Sequence, residues 1–220
     1  MAADPAVVLS LCDHTGKMVR PWADAGYECW CIDLQHHPAI RREGNIVWWG
    51  ADIMEWFLRP DRTYAIVFAF PPCTHLAASG ARWWKGKGLA ALSEAIGLVG
   101  RCADLCDQAM APWMIENPIG SLSSYWRRPD AQFDPCDYGG YLEPPGDEYT
   151  KRTCLWTGNG FVVPIPKPVF PFEGSRMHFI PPSEDRANIR SETPGGFARA
   201  VFLANEPLVR KRMCAAESVL

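Results

Sequence analysis

Short apolar runs alternate with polar, helix-compatible stretches along the first half of the chain. Residues 7–12 form a β-rich apolar run that ends at Asp13-His14-Thr15-Gly16. A short helical stretch follows from Lys17 towards Gly26, a residue type suited to a helix C-terminus. A second apolar and aromatic run, 27–32, stops at Asp33, and a third, 45–49, has Asp52 just beyond it. The fourth, 65–70, is apolar at every position, the pattern of a strand buried on both faces, and it breaks at Pro71-Pro72. From Leu89 to Met110, the residues Leu92, Ile96, Val99, Ala103, Cys106 and Met110 recur at three- and four-residue spacing and predict the longest helix. Residues 113–115 read as a fifth short strand that ends in Glu116-Asn117-Pro118.

Strands alternating with helices predict an α/β fold with a mostly parallel sheet covered on both faces, whose ligands bind beyond the carboxyl ends of the strands. Asp13, Asp33, Asp52, Cys73 and Glu116 all fall just after predicted strands, which gathers the chemistry along one sheet edge. Beyond Gly120 the chain turns Pro- and Gly-rich and aromatic as far as about Asp185, which predicts loops and short antiparallel strands. A helix is expected over 196–205. No internal repeat or low-complexity segment interrupts a single domain spanning 1–220.

Composition narrows the classes. With 22 Lys and Arg against 25 Asp and Glu, the chain lacks the basic excess of a protein that holds nucleic acid by bulk charge. Nine cysteines is an odd number in a chain too long for a disulfide mini-scaffold, and the first residues lack the basic and apolar regions of a signal peptide. Reduced thiols in a cytoplasmic protein are expected, with no membrane segment, since no apolar run approaches the ~20 residues of a span. No Cys-x-x-Cys pair exists and His36-His37 are adjacent, so the remaining thiols read as core packing and no metal is expected.

Pro71-Pro72-Cys73 places a thiol in a rigid turn at the end of a buried strand, a suitable position for a nucleophile. Glu116 follows an apolar strand core, where desolvation favours the protonated carboxyl, able to donate a proton or a hydrogen bond. Asp33, ending the second strand, is placed to accept hydrogen bonds from ribose hydroxyls, and the Asp13–Gly16 turn leads into a helix. One glycine there, in place of Gly-x-Gly-x-x-Gly, lowers the rank of nicotinamide cofactors.

On these motifs the sequence resembles the DNA (cytosine-5) methyltransferases, in particular the compact phage-type members, over roughly residues 8–204. Phe70-Pro71-Pro72-Cys73 matches the catalytic Pro-Cys motif and Ile115-Glu116-Asn117-Pro118 the Glu-Asn motif. Thr150-Lys151-Arg152-Thr153-Cys154-Leu155-Trp156 is similar to the Lys-Arg-Thr segment of phage-type members. Arg190-Ser191-Glu192-Thr193-Pro194-Gly195-Gly196-Phe197-Ala198 is similar to the C-terminal motif that packs beside the cofactor.

The resemblance implies a Rossmann-like, class I S-adenosylmethionine-dependent methyltransferase fold and transfer of a methyl group to carbon 5 of a cytosine flipped from double-stranded DNA. It implies S-adenosylmethionine held by Asp13, His14, Thr15, Gly16, Asp33, Leu34, Asp52, Ile53, Pro71 and Thr193, and converted to S-adenosylhomocysteine. Cys73 would add to carbon 6 of the ring, Glu116 would hold ring N3 and the exocyclic amine, and Arg152 would be the cation at the ring carbonyl.

Residues 74–88 suit a mobile loop closing on DNA, with Ser79, Arg82, Trp83, Trp84, Lys85 and Lys87 between Gly80, Gly86 and Gly88; Arg127-Arg128 is a second phosphate-contact candidate. The first cofactor loop departs from the family's Phe-x-Gly-x-Gly, and Gln-x-Arg-x-Arg is absent. Only 158–187 occupies the place of a target-recognition region, which predicts few base contacts and a short target. A monomer is expected, and the resemblance leaves restriction-modification, phage-genome protection and a later hypermodification as alternative settings. Three alternatives stand beside it: a cysteine hydrolase or transferase using Cys73 with His75, a non-catalytic DNA-binding relative, and the same fold acting on RNA or free nucleotide.

Overall fold

The structure, a computed structural model, describes residues 6–78, 84–175, 179–181, 183 and 186–217. Its described strands form one eight-stranded sheet. The strands are β1 (Val7–Leu11), β2 (Cys29–Ile32), β3 (Arg41–Glu43), β4 (Ile46–Trp49), β5 (Tyr64–Ala69), β6 (Trp113–Pro118), β7 (Ala131–Phe133) and β8 (Thr153–Gly158). Their order is β3-β4-β2-β1-β5-β6-β8-β7. The central pairs β4–β2, β2–β1, β1–β5 and β5–β6 are parallel, and β3, β8 and β7 join antiparallel at the two sides.

Two-residue alternation explains why the central strands are apolar throughout. Val7, Leu9 and Leu11 point to one face, with Val67, Ala69 and Ile115, and bury against Val99, Cys102, Leu105 and Cys106 of α2 (Trp84–Gln108). Val8 points to the other face, with Ile66, Phe68 and Met114, and meets Trp22 of α1 (Arg20–Asp24) and Phe197 and Val201 of α5 (Gly195–Glu217). Two short helices, α3 (Leu122–Tyr125) and α4 (Arg186–Ser191), complete the described α-helices, and two 3-10 turns lie at Pro135–Asp137 and Gly139–Tyr141.

This mostly parallel sheet covered on both faces is the expected α/β class, and its order is consistent with a class I methyltransferase fold. The chain builds outward from β1 through β2 to β4, then returns to place β5 on β1's other side. The order therefore reverses between β1 and β5, where such sheets open a ligand crevice at the strands' carboxyl ends. The loops beginning at Cys12 and Phe70 flank that crevice, and Phe70 N–H donates to the Leu11 carbonyl at 3.0 Å.

Several sequence expectations are corrected. Glu116 lies within β6 rather than after it, because β8 pairs with β6 from Trp113 through Pro118 and extends the strand. Helix α2 starts at Trp84 instead of Leu89, with a left-handed break at Gly88 (φ 79°), so the end of the expected 74–88 loop is helical. Helix α5 continues to Glu217 through Pro207, since Val209 remains buried against the core and Arg212 bonds the Met110 carbonyl. Strand β3 was not foreseen: Arg41, Arg42 and Glu43 are exposed and carry no apolar pattern, and only pairing with β4 makes them a strand. Among the described residues no helix is long and apolar enough to cross a membrane.

Candidate active site

At the end of β1, Cys12 takes a left-handed conformation (φ 53°) and the chain folds around the buried Asp13. One Asp13 oxygen accepts from Ser10 Oγ at 2.7 Å, and the other from the Gly16 and Thr15 amides at 2.7 and 3.2 Å. Burial pushes the carboxyl pKa up and these donors oppose it. Asp13, expected as a cofactor contact, thus spends its acceptors on shaping the loop. Gly16 is required there: its φ is 63°, and a Cβ would lie 2.5 Å from the Trp48 indole.

His14 stacks on His36 with ring centroids 5.2 Å apart, and His36 Nε2 lies 3.1 Å from the Asp13 carbonyl. His14 Nδ1 is buried with no partner. Past β2, the buried Asp33 takes the Gln35 amide on Oδ1 at 2.8 Å, and Leu34 beside it is 73% exposed. Past β4, Asp52 is exposed and caps Met54 N–H at 2.9 Å, while Ile53 is buried. Thr193 is buried just ahead of α5, and Lys17 pairs with Glu192 at 2.6 Å, tying the C-terminal motif to the loop that follows Gly16. A cavity of about 300 Å³ near this end is lined by Gln35, His36, His37, Ala39, Arg41 and Trp48.

The Pro71-Pro72-Cys73 turn is fixed from several sides. The buried Asn117 on β6 donates from Nδ2 to the Pro71 carbonyl at 2.7 Å. Leu76 and Ala77 N–H both donate to the Cys73 carbonyl at 2.9 Å. Ser121 N–H donates to the Leu76 carbonyl and Ala78 N–H to the Ile119 carbonyl, so the chain after the thiol is stitched to the chain after β6. These bonds tie the turn carrying Cys73 to the strand carrying Glu116, whose charge acts on the thiol.

The electrostatics of the pair are opposed. Burial pushes the Cys73 thiol up, and the Glu116 charge pushes it further, while Lys151 and Arg190 pull it down. Burial likewise raises the Glu116 carboxyl, against Lys151 and the contact with Thr153. Glu116 Oε1 is buried with no partner, an acceptor open to a ligand's amine. Each group therefore favours its neutral form, and the thiol is held up further where Glu116 carries charge.

Arg152 does not join this pair. It bridges Asp134 at 3.2 Å with its side chain 51% exposed, whereas Lys151 acts on both Cys73 and Glu116. Arg127, expected at phosphate, is spent on Asp130 at 2.8 Å and on the Thr157 carbonyl at 3.0 Å; Arg128 is exposed. Ser79, Arg82 and Trp83 lie outside the described residues, as do the side chains of Lys85 and Lys87. The expected recognition region, 158–187, is described through Ser175 and runs largely without regular elements. It is laced to the preceding segment by Lys167 and Val169 N–H, which donate to Asp137 and Cys136. Its Phe170 and Phe172 rings stand exposed, centroids 4.7 Å apart.

The sequence reading missed Lys151, Thr153, Asn117 and Arg190 as parts of the site. Two-residue alternation on a strand through Thr153 and Leu155 was the available signal for Lys151. His75 Nδ1 is buried without a hydrogen-bond partner, so no acid orients His75 as a general base and the hydrolase alternative lacks its triad. None of the nine cysteines is in a disulfide, and burial pushes Cys29, Cys31 and Cys106 far up, as expected of packing thiols. Among the described residues no group of three or more His, Cys, Asp or Glu is placed to hold a metal ion.

No family model matches the chain, and no curated protein does. Among solved structures it is similar to the CcbJ methyltransferase from Streptomyces caelestis, at 15% identity and a TM-score of 0.31, over 60% of this chain and 50% of that one. It is also similar to the glycopeptide N-methyltransferase MtfA, at 12% identity and a TM-score of 0.29, over 60% of this chain and 53% of that one. The MtfA complex with S-adenosyl-L-methionine scores 0.27, over 61% and 54%. The chain thus spans about half the length of the structures it matches. At these scores the likeness leaves activity to be argued from the site.

Proposed function

We propose that this protein is an S-adenosylmethionine-dependent methyltransferase that modifies carbon 5 of cytosine in double-stranded DNA through a covalent Cys73 adduct. The observation that carries the reading is the Cys73–Glu116 pair, brought together where Asn117 of β6 binds the Pro71 carbonyl just past β5. Cytosine carbon 5 is a poor nucleophile until a thiolate adds to carbon 6, and that addition needs a proton or hydrogen bond at N3. A Glu116 carboxyl biased towards its protonated form supplies the donor, and its unpartnered Oε1 supplies an acceptor for the exocyclic amine.

The residues at the other side of the crevice fit the proposed cofactor. The turn around Asp13 and Gly16, the orphaned His14 Nδ1, Asp33 at the end of β2 and the exposed Leu34 offer a backbone cradle, a polar contact, a ribose acceptor and an apolar surface for a nucleoside. When bound, S-adenosylmethionine supplies an electrophilic methyl group. Cys73 forms its bond to carbon 6, Glu116 holds the ring, and Cys73 is released when carbon 5 gives up its proton. A flipped base is needed because ring atoms in a stacked duplex are out of reach of a thiol at the foot of a crevice.

Labelled S-adenosylmethionine incubated with cytosine-containing duplex DNA, matched RNA and free cytidine nucleotides tests the substrate. The expected result is label at carbon 5 of duplex cytosines, in a short sequence context. Label confined to RNA or nucleotide, or no transfer, overturns the DNA assignment.

A further inference from the structure

Positive charge at this site has two candidate sources, adjacent in sequence, and their contacts separate them. β6 and β8 pair antiparallel with Glu116 opposite Leu155, so Leu155 and Thr153 lie on Glu116's face of the sheet. Cys154 packs on the opposite, α2-side face, while Leu155 packs on the α5 side. Lys151 and Arg152 immediately precede the strand: the Lys151 charge acts on Glu116 and Cys73, whereas the Arg152 guanidinium bridges Asp134.

Local bonds hold this placement. Asp134 accepts the Lys151 amide on Oδ1 at 2.8 Å and binds the Arg152 guanidinium on Oδ2 at 3.2 Å. The Thr153 hydroxyl donates to the Lys151 carbonyl at 2.8 Å. The Lys151 backbone is therefore fixed at its N–H by Asp134 and at its carbonyl by Thr153, and the Arg152 charge is taken by Asp134. Asp134 is itself largely buried, which strengthens both contacts.

We propose that Lys151, rather than Arg152, is the positioning charge of the Cys73–Glu116 pair, its backbone held by Asp134 and Thr153 while the Arg152 charge is spent on Asp134. The proposal rests on Cys73 and Glu116 being the reacting pair. Among the described residues, the charged groups that act on Cys73 are Glu116 from β6, Lys151 from the approach to β8 and Arg190 from α4. Glu116 opposes the thiolate and the two cations support it, with Lys151 the one that also reaches Glu116. Lys151 thereby stabilises the singly charged pair whichever partner carries the charge, which Arg190, acting on the thiol, does not do.

The pH dependence of Cys73 alkylation by iodoacetamide, read on the Cys73 peptide by mass spectrometry in the full chain, tests this without cofactor or nucleic acid. Lys151→Met is expected to move the alkylation midpoint to higher pH and to slow alkylation at pH 8 by about 5–10-fold. Lys151→Arg should stay within about 2-fold of wild type, and Arg152→Met should keep the wild-type midpoint. An unshifted Lys151→Met profile overturns the proposal, and so does an Arg152→Met profile shifted to higher pH. If Lys151→Met fails to fold, Lys151→Gln read the same way decides the matter. Because the readout needs no methyl transfer, failure of the DNA assignment leaves this result standing, and its own failure leaves methyl transfer untouched.

Discussion

Cys73→Ala should lower methyl transfer at least ~10⁴-fold while cofactor affinity stays within about 3-fold of wild type. The asymmetry follows from the division of the crevice. The cofactor loops follow β1, β2 and β4, and their bonds run among Ser10, Asp13, Gly16, Asp33 and Gln35 without passing through the thiol. The turn that carries Cys73 is held by backbone and Asn117 bonds that alanine keeps, since Leu76 and Ala77 donate to a main-chain carbonyl. Removing the sulfur should therefore remove the bond-forming step and little else. Single-turnover transfer beside equilibrium cofactor binding measures both. A variant retaining a tenth of the activity would place the nucleophile elsewhere.

Glu116→Gln should lower transfer by about 10²–10³-fold and change the shape of the pH profile. In the wild type both groups are pushed above their ordinary values, the carboxyl from 4.5 and the thiol from 9.0. Between those two ionisations the pair holds one proton, and a constant fraction of molecules carries it on Glu116 with Cys73 as thiolate. The rate should accordingly rise as pH passes the raised Glu116 value and fall above the raised Cys73 value. Glutamine removes both the acid and the negative charge that opposes the thiolate. The rising limb should then follow Cys73 alone, displaced to higher pH than the wild-type rise, with no alkaline decline.

The same substitution has a stability consequence. A folded-state carboxyl raised above its unfolded value is stabilised while protonated, and its contribution is lost as pH rises from the unfolded value through the folded one. At pH 8, far above the unfolded carboxyl's value, the unfolded chain releases that proton more readily than the folded one, a cost that glutamine does not carry. Glu116→Gln should be more stable there by on the order of 1 kcal/mol, or ~2–4 °C in Tm for a chain of this size, with the gain shrinking towards pH 4.

The central sheet was legible because its signals are local and redundant. Val7, Leu9 and Leu11 alternate with Val8 around a buried strand, and residues 65–69 lack any polar position, so the α/β class follows from the pattern alone. Cys73 and Glu116 were legible because prolines and an apolar strand core surround them. What the pattern could not give depends on partners distant in sequence. β3 exists only through its pairing with β4. β6 extends over Glu116 only because β8 lies alongside it. Arg152 and Arg127 read as available cations until Asp134 and Asp130 are seen to take them. Asp13 read as a ligand contact until its oxygens are seen to be filled by Ser10, Thr15 and Gly16.

The covalent step is the claim on which the rest depends, and duplex DNA carrying 5-fluorocytosine tests it most directly. Once the sulfur has bonded to carbon 6 and the methyl group to carbon 5, fluorine occupies the place of the proton whose loss would release Cys73. With S-adenosylmethionine present, the account expects a denaturation-stable complex with the mass of protein plus DNA plus one methyl group, and a DNA-linked peptide that contains Cys73. No adduct on fluorinated duplex under conditions where another substrate is methylated, or an adduct at a different residue, would contradict it.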